Sequence, residues 1–229
     1  MKGRGQGSFI RLPAFAAGLY DHLMHSKAIE LQYREIAEDL ASRAGDGRLL
    51  DVGTGPGRLL FHLHRLNKDL KLYGLDISPA MVERASKNLA AIPADLRLGN
   101  IEHTDYPDAS FEIITCSGSL YLWDHPVACL NEIHRLLRPG GSAWLYESYR
   151  DYDREELRTA LRSNLEKEGL LRRLITPHFL KRQLRMTYER GEFCRIIDQS
   201  LFRKAYALER LTLGGLPVWL RIRLSKPVA

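Results

Sequence analysis

Leu49-Leu50-Asp51-Val52-Gly53-Thr54-Gly55-Pro56-Gly57-Arg58 sets an apolar run directly against three glycines at alternate positions. The run Arg48-Leu49-Leu50-Asp51-Val52 is short and bounded by glycines, which suits a strand buried on both faces of a parallel sheet. Alternating glycines after such a strand permit a tight turn and let a ligand approach the backbone closely. The helix that follows would present unpaired N–H groups to that ligand. The spacing is not the dinucleotide fingerprint G-x-G-x-x-G, which needs glycine where Arg58 stands. Nor is it a P-loop, because no Gly-Lys-Ser/Thr follows.

Working outward, strands and helices alternate. Upstream, Pro13 is placed to open a helix, and apolar residues from Leu19 to Leu40 keep helical spacing up to Ala41, before Gly45 and Gly47. Downstream, Leu59 to Leu66 reads as helix and Leu70 to Leu75 as a second strand. Ser78-Pro79 supplies an N-cap and a first-turn proline for the next helix. Asp95 to Leu98 and Phe111 to Cys116 are the third and fourth strands, and Val127 to Leu137 is a helix closed by Arg138-Pro139-Gly140-Gly141. Ser142 to Tyr146 is the fifth strand. The alternation predicts a doubly wound α/β fold around a mostly parallel sheet. About fifty residues then precede the next strand, more than a crossover needs. In them, Asp153 caps a helix with Glu155 and Glu156 in its first turn, Thr176-Pro177 starts another, and a third begins near Glu189. Ala205–Leu213 and Val218–Leu224, joined by Gly-Gly-Leu-Pro, form a closing antiparallel hairpin. The sheet then has seven strands, with an antiparallel strand at its C-terminal end. One domain is expected, divided into a leader and cap helix (1–44), a core (45–148), a helical insert (149–200) and a hairpin (201–229).

Composition fits a globular chain: 229 residues, 45% hydrophobic and 27% charged. Cys116, Cys129 and Cys194 are scattered, without a CxxC pair or histidine at ligand spacing, so no metal site is expected and the thiols read as reduced. No apolar run is long enough to span a membrane or serve as a signal peptide, and a cytoplasmic protein is expected. Residues 1–149 hold 16 Lys and Arg against 18 Asp and Glu; residues 150–229 hold 18 against 10. That excess is either an anion-attracting surface or a solvated, arginine-rich face.

Further segments give the glycine loop its context. Leu75-Asp76-Ile77-Ser78 puts a carboxylate at the carboxyl end of the second strand, where it is able to accept from both hydroxyls of a ribose or simply cap the next helix. Gly99-Asn100-Ile101-Glu102 follows the third strand. Pro107-Asp108-Ala109-Ser110-Phe111-Glu112-Ile113-Ile114 and Arg138-Pro139-Gly140-Gly141 complete the set. Together, D-x-G-x-G-x-G and these segments resemble class I S-adenosylmethionine-dependent methyltransferases, in particular the small-molecule branch that includes the quinone-biosynthesis enzymes. The resemblance covers about residues 45–148. Tyr20-Asp21 on the leading helix resembles the family's N-terminal cap; the fifty-residue insert matches no known pattern.

The resemblance implies S-adenosyl-L-methionine as cofactor. It implies Asp51, Gly53, Thr54, Gly55 and Gly57 around the methionine end, Asp76 and Ile77 at ribose and adenine, and Asn100 and Ile101 on the adenine edge. Asn100 stands where the family has an acidic residue; its amide oxygen accepts without the charge or only shapes the turn. Ser117 is placed beside the sulfonium or is an ordinary turn serine. The implied reaction is in-line methyl transfer to O, N or C of a small molecule, driven by proximity and orientation. A general base is needed only for a protonated acceptor. Tyr121, Trp123, His125, Glu147 and Tyr149 lie at the right sheet edge, and none is singled out. The alternatives are a cofactor-binding accessory protein without catalysis and a methyltransferase acting on RNA or protein. Base methylation of the amino-directed kind is disfavoured, since Cys116-Ser117-Gly118-Ser119 replaces the N/D-P-P-Y/F that grips a flipped base. The insert and the N-terminal helix are expected to roof the acceptor pocket. Arg172, Arg173, Lys181, Arg182 and Arg185 in that insert either point inward and favour an anionic acceptor or only solvate the cap.

Overall fold

Every strand expected from the apolar runs is present in the computed structural model, which describes residues 27–166 and 169–228; of Leu170, Leu171, Arg172 and Leu174 it describes the backbone. In chain order the elements are α1 (Lys27–Ala44), β1 (Arg48–Val52), α2 (Arg58–Leu66), β2 (Lys71–Asp76), α3 (Pro79–Asn88), β3 (Ala94–Leu98), β4 (Phe111–Ser117), a 3₁₀ turn (Leu120–Leu122), α4 (Pro126–Leu136), β5 (Leu137–Ser148), α5 (Arg154–Leu165), α6 (Leu170–Met186), α7 (Arg190–Asp198), β6 (Tyr206–Leu213) and β7 (Leu216–Ser225). The expected helix start at Pro13, and Tyr20-Asp21, lie outside the described residues.

The strands form one sheet in the order β3-β2-β1-β4-β5-β7-β6. All neighbours pair parallel except at β7, which runs antiparallel to both β5 and β6. Successive side chains serve opposite faces, as the two-residue strand period requires. Leu50, Val52, Ile114, Cys116, Leu145 and Ile222 join the core beneath α4 and α7, with Leu130, Ile133, Phe193 and Ile197. Leu49, Ile113, Trp144, Tyr146 and Trp219 join the core on the other face, under Ile36 and Leu40 of α1 and Leu59, Leu60 and Leu63 of α2. Both faces are therefore covered, which is why β1 and β4 read as continuous apolar runs rather than alternating ones.

The cap is clamped to the sheet by polar contacts that sequence periodicity does not show. Asp39 of α1 accepts from the Tyr146 hydroxyl and from Arg221. Glu35 accepts from the Gly214 N–H at 2.7 Å, and Asn164 of α5 donates to the Gly214 carbonyl at 3.2 Å. The hairpin turn is so close to α1 that a Cβ on Gly214 would stand 2.4 Å from the Ala28 carbonyl oxygen.

Four local expectations are corrected. Thr176-Pro177 does not start a helix: α6 begins at Leu170 and carries Pro177 inside it. Good helix formers extend it backwards, and the buried Leu184 anchors it to the core, which outweighs the bond that proline removes. Arg138-Pro139-Gly140-Gly141 does not end the sheet-free segment, because β5 starts at Leu137 and passes through an irregularity between the Phe111–Leu137 and Ile113–Ser142 pairs. That irregularity is held by backbone bonds between Gly140 or Gly141 and Lys226. The hairpin turn is only Gly214-Gly215, with φ of +56° and +73°, and Leu216-Pro217 belong to β7. Two positive φ values in a row are what a two-residue hairpin with right-twisted strands demands. Ser78 sits at the N-cap of α3 but its side chain makes no capping bond. Asp153 caps α5 as expected, accepting from Glu155 and Glu156 N–H. Among the described residues, no helix is long and apolar enough to cross a membrane.

Candidate functional site

The order of strands reverses between β1 and β4, and their carboxyl ends open a crevice, the usual place for a ligand in an open α/β sheet. The glycine loop after β1 forms one lip of it. Gly53 and Thr54 N–H groups donate to the Leu75 carbonyl at 2.8 and 3.1 Å, and the Gly55 N–H donates to Asp76 Oδ2 at 2.8 Å. The loop is thus stapled to the end of β2. Gly55 has φ +54°, and a Cβ built there would meet nothing within 4 Å: its open side faces space, not protein. Gly57 differs. At φ +78° its missing side chain makes room for Leu89, whose Cδ1 would lie 2.8 Å from a Cβ. One glycine leaves a gap for a visitor; the other lets a helix close.

A cavity of about 1040 Å³ runs from this lip to the cap. Gly53, Gly55, Asp76, Ile77, Asn100, Ile101 and Ser117 all line it, as does Tyr121. Asp76 is almost fully buried, and its second oxygen accepts from the Ser78 N–H at 2.9 Å. Burial raises its pKa, while the Ser78 and Gly55 N–H bonds oppose the rise by favouring the charged form. A carboxylate offers about four acceptor sites, so capacity remains after these two bonds. Ile77 is half exposed at the cavity edge. The Asn100 amide oxygen accepts from the Glu102 N–H at 3.0 Å, so the residue shapes its own turn as well as lining the space.

Other expected residues fall elsewhere. Asp51, Thr54 and Gly57 do not line the cavity. Asp51 is buried in the sheet, where burial and the nearby Asp76 charge push its pKa up to about 7. His125 is also off the cavity, an exposed N-cap residue of α4 whose Nδ1 lies 2.8 Å from Glu102. Glu147 is fully buried beneath the loop after β4. Its Oε1 accepts from the Ser119 and Leu120 N–H groups, both at 3.0 Å, and from the Cys116 thiol at 3.3 Å. Burial pushes its pKa up to about 7 against those bonds. It holds the Ser117–Ser119 wall from behind and does not face the cavity, which corrects its candidacy as a base. Tyr149 is buried away from the cavity as well.

The cap supplies residues that pattern reading did not single out. Ile29, Gln32, Tyr33 and Ile36 of α1, Thr176, Phe179, Leu180 and Gln183 of α6, and Val218 and Trp219 of β7 close the far end. Positions 176, 179, 180 and 183 make one helical stripe, so α6 was legible in part; what the stripe faces was not. Arg173, Lys181, Arg182 and Arg185 are exposed and do not line the cavity, which favours the solvating alternative over the inward one. They lie off the stripe that Phe179 and Gln183 occupy. The side chain of Arg172 is not among those described. Ser148, Glu102 and Asp124 also line the cavity.

Residues 50–145 match the family described as "Methyltransferase domain". Among similar proteins is a demethylmenaquinone methyltransferase of Symbiobacterium thermophilum, 31% identical over 139 residues, covering 58% of this chain and 55% of that protein. The chain spans little more than half the length of the curated relatives it matches first. Solved structures with the same fold include a SAM-dependent methyltransferase from Aquifex aeolicus, at TM-score 0.65 and 15% identity over 91% of this chain and 97% of that one. The plantazolicin methyltransferase BpumL, solved with a triazolic desmethylPZN analog and SAH, gives TM-score 0.69 and 16% identity over 93% of this chain and 92% of that one. The sheet order and the glycine loop thus go with a match of residues 50–145 to a methyltransferase-domain model and with the Rossmann-like fold of these solved methyltransferases.

Proposed function

We propose that this chain transfers a methyl group from S-adenosyl-L-methionine to a small molecule, and that its 229 residues act as one methyltransferase domain with the cap as acceptor-binding part. The observation that carries the reading is the meeting of Gly55 and Asp76 on one cavity: an open backbone position and a buried carboxylate with acceptor capacity to spare. These suit a nucleoside joined to an amino acid. Asp76 would accept from the ribose hydroxyls, Ile77 and Ile101 would sandwich the adenine edge, and Asn100 would meet its amine with its remaining acceptor capacity. Gly53 and Gly55 would let the methionine portion lie against the backbone, with Ser117 beside the sulfur. Asp51, Thr54 and Gly57 then support the loop from behind rather than touch the ligand.

The bound cofactor supplies an activated methyl group with a neutral leaving group. The protein's share is placement. Holding the acceptor atom in line at roughly 3–3.5 Å supplies on the order of 7–11 kcal/mol of the barrier. The roof of α1, α6 and β7 excludes water from that approach. Where an acceptor arrives protonated, titratable groups on the cavity wall, Glu102, Asp124 and Tyr121 among them, are the candidates to take the proton. Relatives include a demethylmenaquinone methyltransferase and a 27-O-demethylrifamycin SV methyltransferase, whose acceptors are small molecules. The enclosing cap favours such an acceptor over RNA or protein. A cytoplasmic location belongs to the same reading, resting on the unpaired Cys116, Cys129 and Cys194.

A radiolabelled methyl-transfer screen against pooled metabolites, tRNA and proteins tests the proposal. Label in a small-molecule pool is the expected result. Label only in tRNA or protein, or none despite bound cofactor, would overturn it.

A further inference from the structure

Arg58, the residue that breaks the dinucleotide spacing, opens α2 directly after the glycine loop and lines the cavity. Its side chain is 25% exposed, so a ligand in the cavity can reach it. Glu30 of the roof helix α1 holds it. Arg58 Nη1 donates to Glu30 Oε2, and the other Glu30 oxygen lies 2.8 Å from His62 Nε2. One edge of the guanidinium is thus fixed, and the same planar fork carries further N–H donors. Among the described residues, the other charged side chains on the cavity wall are Asp76, Arg84, Glu102 and Asp124. The acids would repel a carboxylate. Arg84 belongs to α3, which leads from β2 to the edge strand β3, whereas Arg58 stands on the helix that leaves the central strand β1.

We propose that Arg58 is the carboxylate receptor of this cavity, pairing with the α-carboxylate of the cofactor's amino-acid half while Glu30 holds the guanidinium in place. The proposal rests on the methyl-transfer reading and adds a specificity-determining residue to it. In that reading the nucleoside half lies over Asp76, Ile77 and Asn100 at the ends of β2 and β3. The amino-acid half then runs along Gly53 and Gly55 toward α1 and α2. A carboxylate that enters the cavity loses hydration, and an ion pair has to replace it. Neither glycine brings a charge. Arg58 brings one at the start of the next helix, and a guanidinium meets a carboxylate with N–H bonds side by side, where a lysine would offer a point charge. Through Glu30 the same arginine joins the roof helix to the cofactor's lip.

The test compares calorimetric affinities of the full chain for S-adenosylmethionine and for its decarboxylated analogue, which keeps the nucleoside, the sulfonium and the amine and lacks only the carboxylate. The unmodified protein should prefer the carboxylate form at least about tenfold, the scale of a charge-assisted hydrogen bond. Arg58→Gln should remove most of that preference and leave affinity for the decarboxylated form undiminished. A freed Glu30 would itself disfavour a carboxylate, so the double variant Glu30→Gln/Arg58→Gln removes both charges and should lose the preference as well. Arg84→Gln should keep it. If Arg58→Gln does not fold, Arg58→Lys decides: the charge without the fork should reduce the preference clearly. Equal affinity of the unmodified protein for both forms overturns the proposal, as does an intact preference in the Gln, Lys or double variant. Equal weakening of both forms in a folded Arg58→Gln also overturns it, by making the residue a structural part of the lip. In each of these cases S-adenosylmethionine binding by the unmodified protein leaves the methyl-transfer reading intact. Failure of the unmodified protein to bind S-adenosylmethionine would instead remove that reading, and the carboxylate receptor with it.

Discussion

The two ends of the cavity are made differently. At the sheet end, backbone does the work: Gly53 and Thr54 are tied to the Leu75 carbonyl, Gly55 to Asp76, and Ser119 and Leu120 to Glu147. At the cap end, side chains from α1, α6 and β7 make the wall, and what holds them is an arrangement of distant contacts such as Asp39 with Tyr146 and Arg221. A surface built from strand ends and a stapled loop tolerates little change, because its shape is the fold's shape. A surface built from side chains on a separately docked roof is free to vary without disturbing the sheet. The comparison assigns a common chemistry to the first end and an individual one to the second.

Substitutions at the sheet end should therefore have the larger effects. Gly55→Val fills the space that its open side now leaves, and should lower S-adenosylmethionine affinity beyond detection by calorimetry. Its positive φ adds strain on the order of 1–3 kcal/mol, visible as a lower unfolding midpoint. Binding that survives in a folded variant would move the ligand away from this lip. Asp76→Ala comes next. Loss of charge-assisted hydrogen bonds should cost about 1.5–3 kcal/mol of cofactor binding, part of it through the freed Gly55 and Ser78 N–H groups. Unchanged affinity would take Asp76 off the ribose.

That end was also the more legible in the sequence. The run at Arg48–Val52, the glycine spacing and the Asp at the end of the second strand depend on local order along the chain, and the cavity contains Gly53, Gly55, Asp76, Ile77, Asn100, Ile101 and Ser117 together. Roles for Asp51 and Glu147 were harder to see, because a carboxylate at a strand end reads alike whether it faces a crevice or the underside of a loop. The cap was legible only as helices. Nothing in the spacing of α6 says that Phe179 and Gln183, rather than Arg182, face the pocket. Trp219 and Ser148 meet across a pairing between residues 71 positions apart, which no local signal reports.

Glu147 sharpens the comparison through pH. Its pKa of about 7 is above the ordinary carboxyl value, so the folded state binds its proton more readily than the unfolded chain does. The resulting stability is full below the unfolded pKa and is lost as pH rises through 7. Glu147→Gln should keep an acceptor for the Ser119 and Leu120 N–H groups and flatten the decline in unfolding midpoint between roughly pH 5 and 8. Some decline should persist, since Asp51 is raised in the same direction. Glu147→Ala should instead destabilise by about 1–3 kcal/mol by leaving those N–H groups unpaired. Equal profiles for the Gln variant and the unmodified protein would show that Glu147 does not titrate in this range. The smallest effect belongs to the exposed face of the cap: Arg182→Gln should leave turnover and KM within about twofold once an acceptor is known, as surface changes ordinarily do. A larger rise in KM would bring the charged-acceptor expectation back.

Calorimetric titration of the unmodified protein with S-adenosyl-L-methionine tests the central claim most directly. One molecule bound per chain with micromolar affinity, displaced by S-adenosylhomocysteine, is the predicted result. No heat of binding from a folded sample at millimolar ligand would contradict the assignment of the sheet end to this cofactor.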